Sequence, residues 1–181
     1  MKKIILIIAI ALVPLMGSAQ TSIFNSFDGN DDVTKISVSK KAFELMGRFG
    51  GASDEAREYA DMVKNLDGLK VFTTENQSIA ADMQSKVDKY LKSSNLYELF
   101  SVNDKDANVK IYVREGKDDD HVKELLMFVN GIGKHIEGNG SGRSAEAVIV
   151  SLTGDIDLNK IAELTESMNI SGSEHLKKAK K

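Results

Sequence analysis

Two stretches of the chain are apolar at nearly every position, and they limit the possible folds more than any other feature. They cover residues 121–130 and 145–153. Strands of this composition are typical of sheets that are covered on both faces. Residues 109–113 instead alternate apolar and polar side chains, which predicts a half-buried strand. With a shorter candidate at residues 69–74, the chain has four strand candidates.

Helical spacing marks segments before and after these strands. One helix is predicted over residues 41–49, a second begins with Ser53 as its N-cap and ends at Gly68, and the clearest covers residues 78–92. After the last strand, Asp157 is predicted to cap a helix with an apolar stripe of Leu158, Ile161, Leu164 and Met168. The pattern predicts an α+β fold, a mostly antiparallel β-sheet with helices packed on one face, in a single domain.

Residues 1–19 have the organisation of a secretory signal peptide. Lys2 and Lys3 precede an uncharged apolar run over residues 4–16, and small residues lead to a cleavage site after Ala19. The run is shorter than the about 20 residues that a membrane-spanning helix needs. The chain contains no cysteine that a lipoprotein anchor would acylate. We therefore expect the protein to be exported, and to be periplasmic or secreted.

Composition divides the rest of the chain into three parts. Residues 20–32 are polar and are predicted to form a flexible leader, residues 33–168 a single domain, and residues 169–181 a basic tail. The acidic charge of the domain argues against nucleic-acid binding, because phosphate recognition needs a clustered basic face. A weak contact with an anionic surface is expected from the tail lysines, Lys177, Lys178, Lys180 and Lys181.

Several segments together resemble a known family. They are DVTKISVSKKAFELMGRF, NVKIYVREG, HVKELLMFVNG and SLTGDIDLNKIAEL. The chain resembles the Bacteroidota family of exported proteins catalogued as domain of unknown function 4252, from about Val33 to Met168. The resemblance implies a protein of the Gram-negative envelope. It implies no activity and no catalytic residues.

The sharpest near-match to a functional motif is a calcium-binding loop of the EF-hand type. Asp104, Asp106, Asn108 and Glu115 occupy its first, third, fifth and twelfth positions. Position six is Val109, although this loop needs glycine there, and the residues that follow alternate like a strand. The sequence therefore favours a hairpin with solvated acidic residues, and the four residues remain candidate metal ligands.

Other polar clusters allow a functional and a purely structural interpretation. Residues 118–120 are aspartates beside His121, and they are candidates for a cation site or, as the sequence favours, a hydrophilic hairpin tip. Asp28, Asp31 and Asp32 have the same status in the leader. His135, His175 and the glycine-rich residues 138–142 with Arg143 match no catalytic or phosphate-binding motif.

These features indicate an exported, non-catalytic binding or interaction module whose partner is an unknown envelope protein or surface. A periplasmic protein that binds a small ligand or a cation is the alternative, and a hydrolytic enzyme is the third possibility. No motif indicates a cofactor.

Overall fold

The computed structural model describes residues 24–49, 54–103, 108–131 and 145–161. Within these residues the chain forms, in order, a 3₁₀ turn (Asn25–Phe27), β1 (Val33–Ser39), α1 (Lys40–Phe49), α2 (Asp54–Val63), β2 (Leu66–Thr74), α3 (Gln77–Ser93), β3 (Tyr97–Asn103), β4 (Asn108–Glu115), β5 (His121–Asn130) and β6 (Ala147–Asp157). The strands form one antiparallel sheet in the order β1-β2-β6-β5-β4-β3. The predicted α+β class and single domain are confirmed.

The two most apolar strands lie in the middle of the sheet. β5 and β6 pair with each other, and each has a second neighbour on its other side. β1 and β3 are the edge strands. The four strand candidates of the sequence correspond to β2, β4, β5 and β6, and the two edge strands are additional.

α3 covers the first face of the sheet. Asn76 caps this helix, because its side-chain oxygen accepts hydrogen bonds from the backbone N–H groups of Ser78 at 2.9 Å and Ile79 at 3.4 Å. The buried stripe of α3 contains Met83, Val87 and Tyr90. It packs in a core cluster with the strand residues Phe72, Leu126, Phe128, Ala147 and Ile149. The spacing that predicted the helix therefore corresponds to its buried side.

The same core cluster contains two phenylalanines that precede β1. Phe24 is 1% exposed and Phe27 is 2% exposed. The Phe24 ring lies 5.8 Å from the ring of Phe72 and 5.7 Å from the ring of Tyr90, between centroids. The domain thus begins before residue 33, and the predicted boundary of the flexible leader is wrong. Apolar burial against β2 and α3 holds this otherwise polar segment on the sheet.

α1 and α2 pack on the second face of the sheet, at one end. Phe43 of α1 and Val63 of α2 are buried in a second core cluster with Val113 of β4. Leu125 of β5 packs against this cluster, whereas its neighbour Leu126 belongs to the first. Because successive strand residues point to opposite faces, the helices lie on both faces. The sequence predicted helices on one face, whereas α3 lies on the first face and α1 and α2 lie on the second.

The second helix ends earlier than its spacing predicts. α2 ends at Val63, and Gly68 lies within β2 opposite Thr153. Leu66 pairs with Gly154 of β6 and is still buried beside Val63. Sheet pairing therefore outweighs local helical preference here. Ser53, the predicted N-cap, lies outside the described residues.

The predicted cap after the last strand is present. The Asp157 carboxylate accepts hydrogen bonds from the backbone N–H groups of Asn159 at 2.9 Å and Lys160 at 3.4 Å. Residues 158–161 are helical. Across the ranges that the structure describes, no helix is long and apolar enough to cross a membrane.

Candidate functional site

The second face of the sheet carries two rows of apolar side chains. Residues directly opposite each other on paired strands share a face. The first row crosses all six strands and consists of Ile36, Val71, Val150, Met127, Ile111 and Phe100. The second row lies two residues further along each strand, and its apolar members are Val148, Val129, Val109 and Val102. We refer to these ten residues as the open apolar face.

The part of the chain that the structure describes covers this face incompletely. Ile36 at one edge is 54% exposed and Val102 at the other is 38% exposed, and the remaining eight residues are half-buried. α1 and α2 instead pack around the neighbouring row, which we call the covered row and which consists of Val38, Leu69, Leu152, Leu125 and Val113. The first face has no comparable opening beneath α3, where Leu126 and Phe128 are buried.

The open apolar face is suited to apolar contacts and to no polar chemistry. None of its ten side chains carries a charge. Six strands spaced about 4.8 Å apart give it a width of roughly 24 Å. An apolar surface that is exposed at both edges and half-buried between them favours an interaction site, because burying its remaining accessible area is favourable by about 25 cal/mol per Å².

This surface was not among the predictions from the sequence. Ile36 and Val102 belong to β1 and β3, the two strands that were not predicted. Their alternation, as in Thr34-Lys35-Ile36-Ser37-Val38, is the signal that marks β1 as a strand. The excess of apolar residues in β5 and β6 was the other signal, because their second faces form the middle of the surface.

A small cleft lies where β5 begins and β6 ends. Its volume is about 150 Å³, and its lining includes the polar residues His121, Asp157 and Lys160 and the apolar residues Met62 and Ile161. This volume is below the about 300–1,000 Å³ of most ligand pockets. The cleft therefore suits only a molecule of a few non-hydrogen atoms.

His121 connects this cleft to the predicted acidic cluster. Its Nδ1 lies 2.6 Å from Oδ1 of Asp118, which also accepts a hydrogen bond from the backbone N–H of Asp120 at 3.2 Å. The hydrogen bond with His121 lowers the pKa of the Asp118 carboxyl below its ordinary value. These contacts close the turn between β4 and β5. In the described ranges, no group of three or more histidine and acidic side chains is arranged to hold a metal ion.

The structure separates two of the predicted calcium ligands. Asn108 is the first residue of β4 and Glu115 is the last. Seven steps along a strand place them roughly 23 Å apart, too far for one ion to bind both. Asp104 and Asp106 lie outside the described residues, between β3 and β4. These two strands pair with each other, and Asn103 lies opposite Asn108. The EF-hand interpretation is wrong for Asn108 and Glu115, because their segment is a strand.

The acidic residues of the leader fasten it to the sheet. Asp28 forms an ion pair with Lys35 of β1. The Asp32 carboxylate accepts a hydrogen bond from the Asn76 side chain at 3.0 Å, and its backbone oxygen accepts one from the Thr74 hydroxyl at 2.8 Å. The other candidates lie outside the described residues: His135, His175, residues 138–142, Arg143, Lys177, Lys178, Lys180 and Lys181.

The chain is a small α+β protein with one six-stranded antiparallel sheet and core clusters on both of its faces. Residues 27–164 match the family described as "Domain of unknown function (DUF4252)", and the chain belongs to this family. The match begins at Phe27, one of the buried phenylalanines before β1. No curated protein and no solved structure matches the chain.

Proposed function

We propose that the protein is an exported, non-catalytic interaction module of the cell envelope that binds an amphipathic helix of a partner protein on its open apolar face. The observation that carries the proposal is the apolar surface across the second face of the sheet, whose edge residues Ile36 and Val102 are 54% and 38% exposed. Export rests on the signal-peptide pattern of residues 1–19.

The helical nature of the partner follows from the way this chain covers its other face. α3 presents an apolar stripe to the first face and buries it against a flat sheet surface. Layers of this kind, helix on sheet, are the usual way to bury a sheet face. The open apolar face has the same chemistry and no charged side chain that would demand a polar partner. An amphipathic helix with residues at spacings of three and four matches it.

The binding test uses photo-crosslinking in intact cells of the native host. A benzophenone amino acid replaces Val102 or Ile36 on the open apolar face, and Ser101 or Ser37 as controls. Each control is the exposed neighbour on the same strand, and it points to the other face. We expect adducts with one envelope protein from the first pair only, mapped by mass spectrometry to an amphipathic helix in that protein.

A synthetic peptide of the mapped helix then tests the contact with purified protein. Val102→Glu should weaken peptide binding about tenfold or more, because it places a charge in an apolar contact. Ser101→Glu adds the same charge on the other face and should leave binding unchanged. Equal crosslinking from both faces, or adducts from neither, would contradict the proposal.

Export is tested separately. Mass spectrometry of the N-terminal peptide from a periplasmic fraction should give Gln20, as glutamine or as its cyclised pyroglutamate form, as the first residue. Recovery of the uncleaved chain from the cytoplasm would remove the envelope from the proposal and leave the binding surface untouched.

A second candidate function is the binding of a small polar molecule in the cleft. His121, Asp157 and Lys160 line the cleft together with apolar side chains, and such a mixture is common in ligand sites. Acetate, phosphate and imidazole titrations, followed through the His121 ring signals, test it. Saturable shifts support the site if they are absent in His121→Ala. Because this variant lacks the His121 ring, its titration is followed through the signals of Ile156. Linear shifts alone exclude it for these ligands.

A further inference from the structure

We infer that the partner of the open apolar face is a second copy of this chain, and that each copy places its helix α1 on the open apolar face of the other. The inference rests on the proposed function of that face, and it names the helix that the face binds.

The large apolar side chains that the described chain exposes most lie on one side of the sheet. Ile36 and Val102 belong to the open apolar face, and Tyr97, which is 45% exposed, lies opposite a residue of the covered row on the same face. Leu45 and Met46 are 42% and 43% exposed on α1, the helix that packs on this face. Burial of all five requires a partner on this side of the molecule.

Helix α1 has the features of the helix that the open apolar face is proposed to bind. Phe43 anchors it in the second core cluster. Two positions along a helix are about 200° apart, so Leu45 lies on the side of α1 away from Phe43, with Met46 next to it. Lys41 and Arg48, one turn before and one turn after Leu45, are exposed as well. α1 therefore presents an apolar contact that is bordered by basic residues.

The positions of α1 and of the open apolar face allow two copies to cover each other. α1 and α2 pack at one end of the second face, which we call the raised end, and they raise it by the diameter of a helix, about 10 Å. The open apolar face is the other, lower end. A twofold axis that is parallel to the sheet and runs across the strands places the raised end of each copy on the lower end of the other. Such an isologous contact is the usual geometry of homodimers.

The same axis determines which strands α1 meets. Within one copy, α1 contacts β1 and β2. Rotation about an axis across the strands keeps the β1 edges of both copies on the same side, so α1 of the second copy lies over β1 and β2. It therefore covers Ile36 and its neighbour Val71. Ile36 is the most exposed large apolar side chain of the described residues.

The charges at the two surfaces are complementary. α1 has three basic residues and one acidic residue, so its formal charge is +2. Glu75 and Glu146 lie just beyond the last residue pair of β2 and β6, at the end of the sheet that the open apolar face occupies. Opposite charges around an apolar contact steer association and disfavour wrong orientations.

The contact area favours the reciprocal arrangement over a single docked helix. Each half of the contact covers one open apolar face, roughly 24 Å by 13 Å or about 300 Å², and an equal area of the raised end of the other copy. The two halves together bury about 1,200 Å², which is the lower limit of stable protein interfaces. One helix of ten residues docked alone would cover only about 150 Å² of the face.

Photo-crosslinking of purified protein tests the contact directly. A benzophenone amino acid replaces Ile36 in the chain without residues 1–19, and this protein is mixed with the parent labelled with ¹⁵N. Irradiation should join the probe to the labelled copy within residues 42–48, a tryptic peptide that contains Leu45 and Met46. The control carries the probe at Ser37, an exposed neighbour that points to the other face, and should give no such adduct.

A mixture of two variants tests whether helix and face contact each other. Leu45→Asp alters the helix and Ile36→Lys alters the face. Each variant alone should raise the dissociation constant of the dimer about tenfold or more in analytical ultracentrifugation, because it places a charge in both apolar contacts.

The mixed dimer should form at lower concentration than either variant dimer. One of its contacts joins an unchanged helix to an unchanged face, and the other pairs the new aspartate with the new lysine. The controls Ser101→Asp and Ser37→Lys add the same charges on the first face and should dimerise like the parent. Circular dichroism and thermal melting check that every variant is folded.

Three results would overturn the inference. A parent that stays monomeric and gives no adduct with the labelled copy shows that the copies do not pair. A dimer that neither Leu45→Asp nor Ile36→Lys weakens uses another surface. Adducts confined to the unlabelled copy show that the chain covers the face itself, for example with Leu164 and Met168, which lie outside the described residues.

The failure of the inference and the failure of the proposed function give different results. If crosslinking in cells captures a helix of another envelope protein while the purified chain stays monomeric, the proposed function stands and the inference fails. If the purified chain dimerises through Ile36 and Leu45 but crosslinking in cells is equal from both faces, the proposed function fails and the pairing of two copies stands.

Discussion

The Tyr90 hydroxyl donates a hydrogen bond to the Glu124 carboxylate, at 2.8 Å to Oε1 and 3.0 Å to Oε2. Glu124 is 1% exposed, on the first face of the sheet beneath α3. Arg114 lies directly opposite on β4 and donates from Nη2 at 2.8 Å to Oε2 of the same carboxylate. A buried carboxylate is stable only with such partners, so this network joins α3, β4 and β5.

Removal of the arginine should therefore destabilise the fold. Arg114→Met leaves the Glu124 charge buried without its counter-ion, and we expect a loss of about 3–5 kcal/mol in the free energy of unfolding. Urea denaturation followed by circular dichroism measures it. The double variant Arg114→Met/Glu124→Gln removes both charges and keeps an amide oxygen that accepts from Tyr90. It should be more stable than Arg114→Met, and equal or lower stability would refute a charge-based role.

A pH-dependent effect is expected at the β4–β5 turn. The hydrogen bond with His121 lowers the pKa of Asp118 in the folded state. A depressed carboxyl pKa stabilises the fold above the unfolded-state value, near 4, and this contribution is lost as the pH falls through the folded-state value. His121→Ala should raise the pKa of Asp118 towards its ordinary value, which carboxyl ¹³C NMR titration measures.

Asp61 is the internal control for that titration. Asp61 lies in α2 and Lys64 in the turn that follows it. Lys64 donates a hydrogen bond of 2.6 Å to the Asp61 carboxylate and lowers its pKa. His121→Ala should leave the Asp61 titration unchanged. An Asp118 titration that is identical in the parent and the variant would show that His121 does not set it.

The elements that were predicted correctly are those whose periodicity is enforced by burial. α3 has one side against the sheet, and β5 and β6 have a neighbour on each side, so their apolar patterns are strong. β1 and β3 have one neighbour each and carry many exposed residues, which weakens the pattern. Edge strands of this kind are defined by pairing with a partner, which the local sequence does not contain.

The candidate site required knowledge of the register. Ile36, Val71 and Val150 are distant in the sequence and become neighbours only when β1, β2 and β6 align. The apolar character of β5 and β6 indicated that a second covered face exists, although it did not show what covers it. For Asn108 and Glu115 the spacing fits a calcium-binding loop, but pairing in the sheet extends the segment between them into a strand.

The buried phenylalanines before β1 give a third prediction. Phe24→Ala removes a ring that contacts Phe72 and Tyr90, and we expect a loss of about 3–5 kcal/mol in the free energy of unfolding. Thermal or urea unfolding of the mature chain measures it. Asn25→Ala changes an exposed neighbour and should alter stability by less than about 0.5 kcal/mol. Equal stability of both variants would show that the segment before β1 does not contribute to the core and is a flexible leader, as the sequence predicts.

The last prediction concerns two glycines with positive φ that differ in their surroundings. Gly154 has a φ of 137°, and a Cβ there would lie 2.6 Å from the backbone oxygen of Asn65 and 2.7 Å from Cα of Leu66. Gly29 has a φ of 77° and open space around the Cβ position. Gly29→Ala should lower the free energy of unfolding by about 1 kcal/mol, because alanine is disfavoured in this backbone conformation.

Gly154→Ala should lower the free energy of unfolding by more than about 3 kcal/mol. The added methyl group would clash with backbone atoms, and a change of side-chain rotamer cannot relieve such a clash. The Asn65 oxygen that it meets accepts a hydrogen bond from the backbone N–H of Asp155 at 3.0 Å. The variant therefore breaks the junction where β2 begins beside β6, at the end of the sheet that holds the cleft. Urea unfolding of both variants gives the comparison, and hydrogen exchange at Asp155 should rise in Gly154→Ala only. Similar costs for the two substitutions would show that the close approach of β2 and β6 at Gly154 is not required.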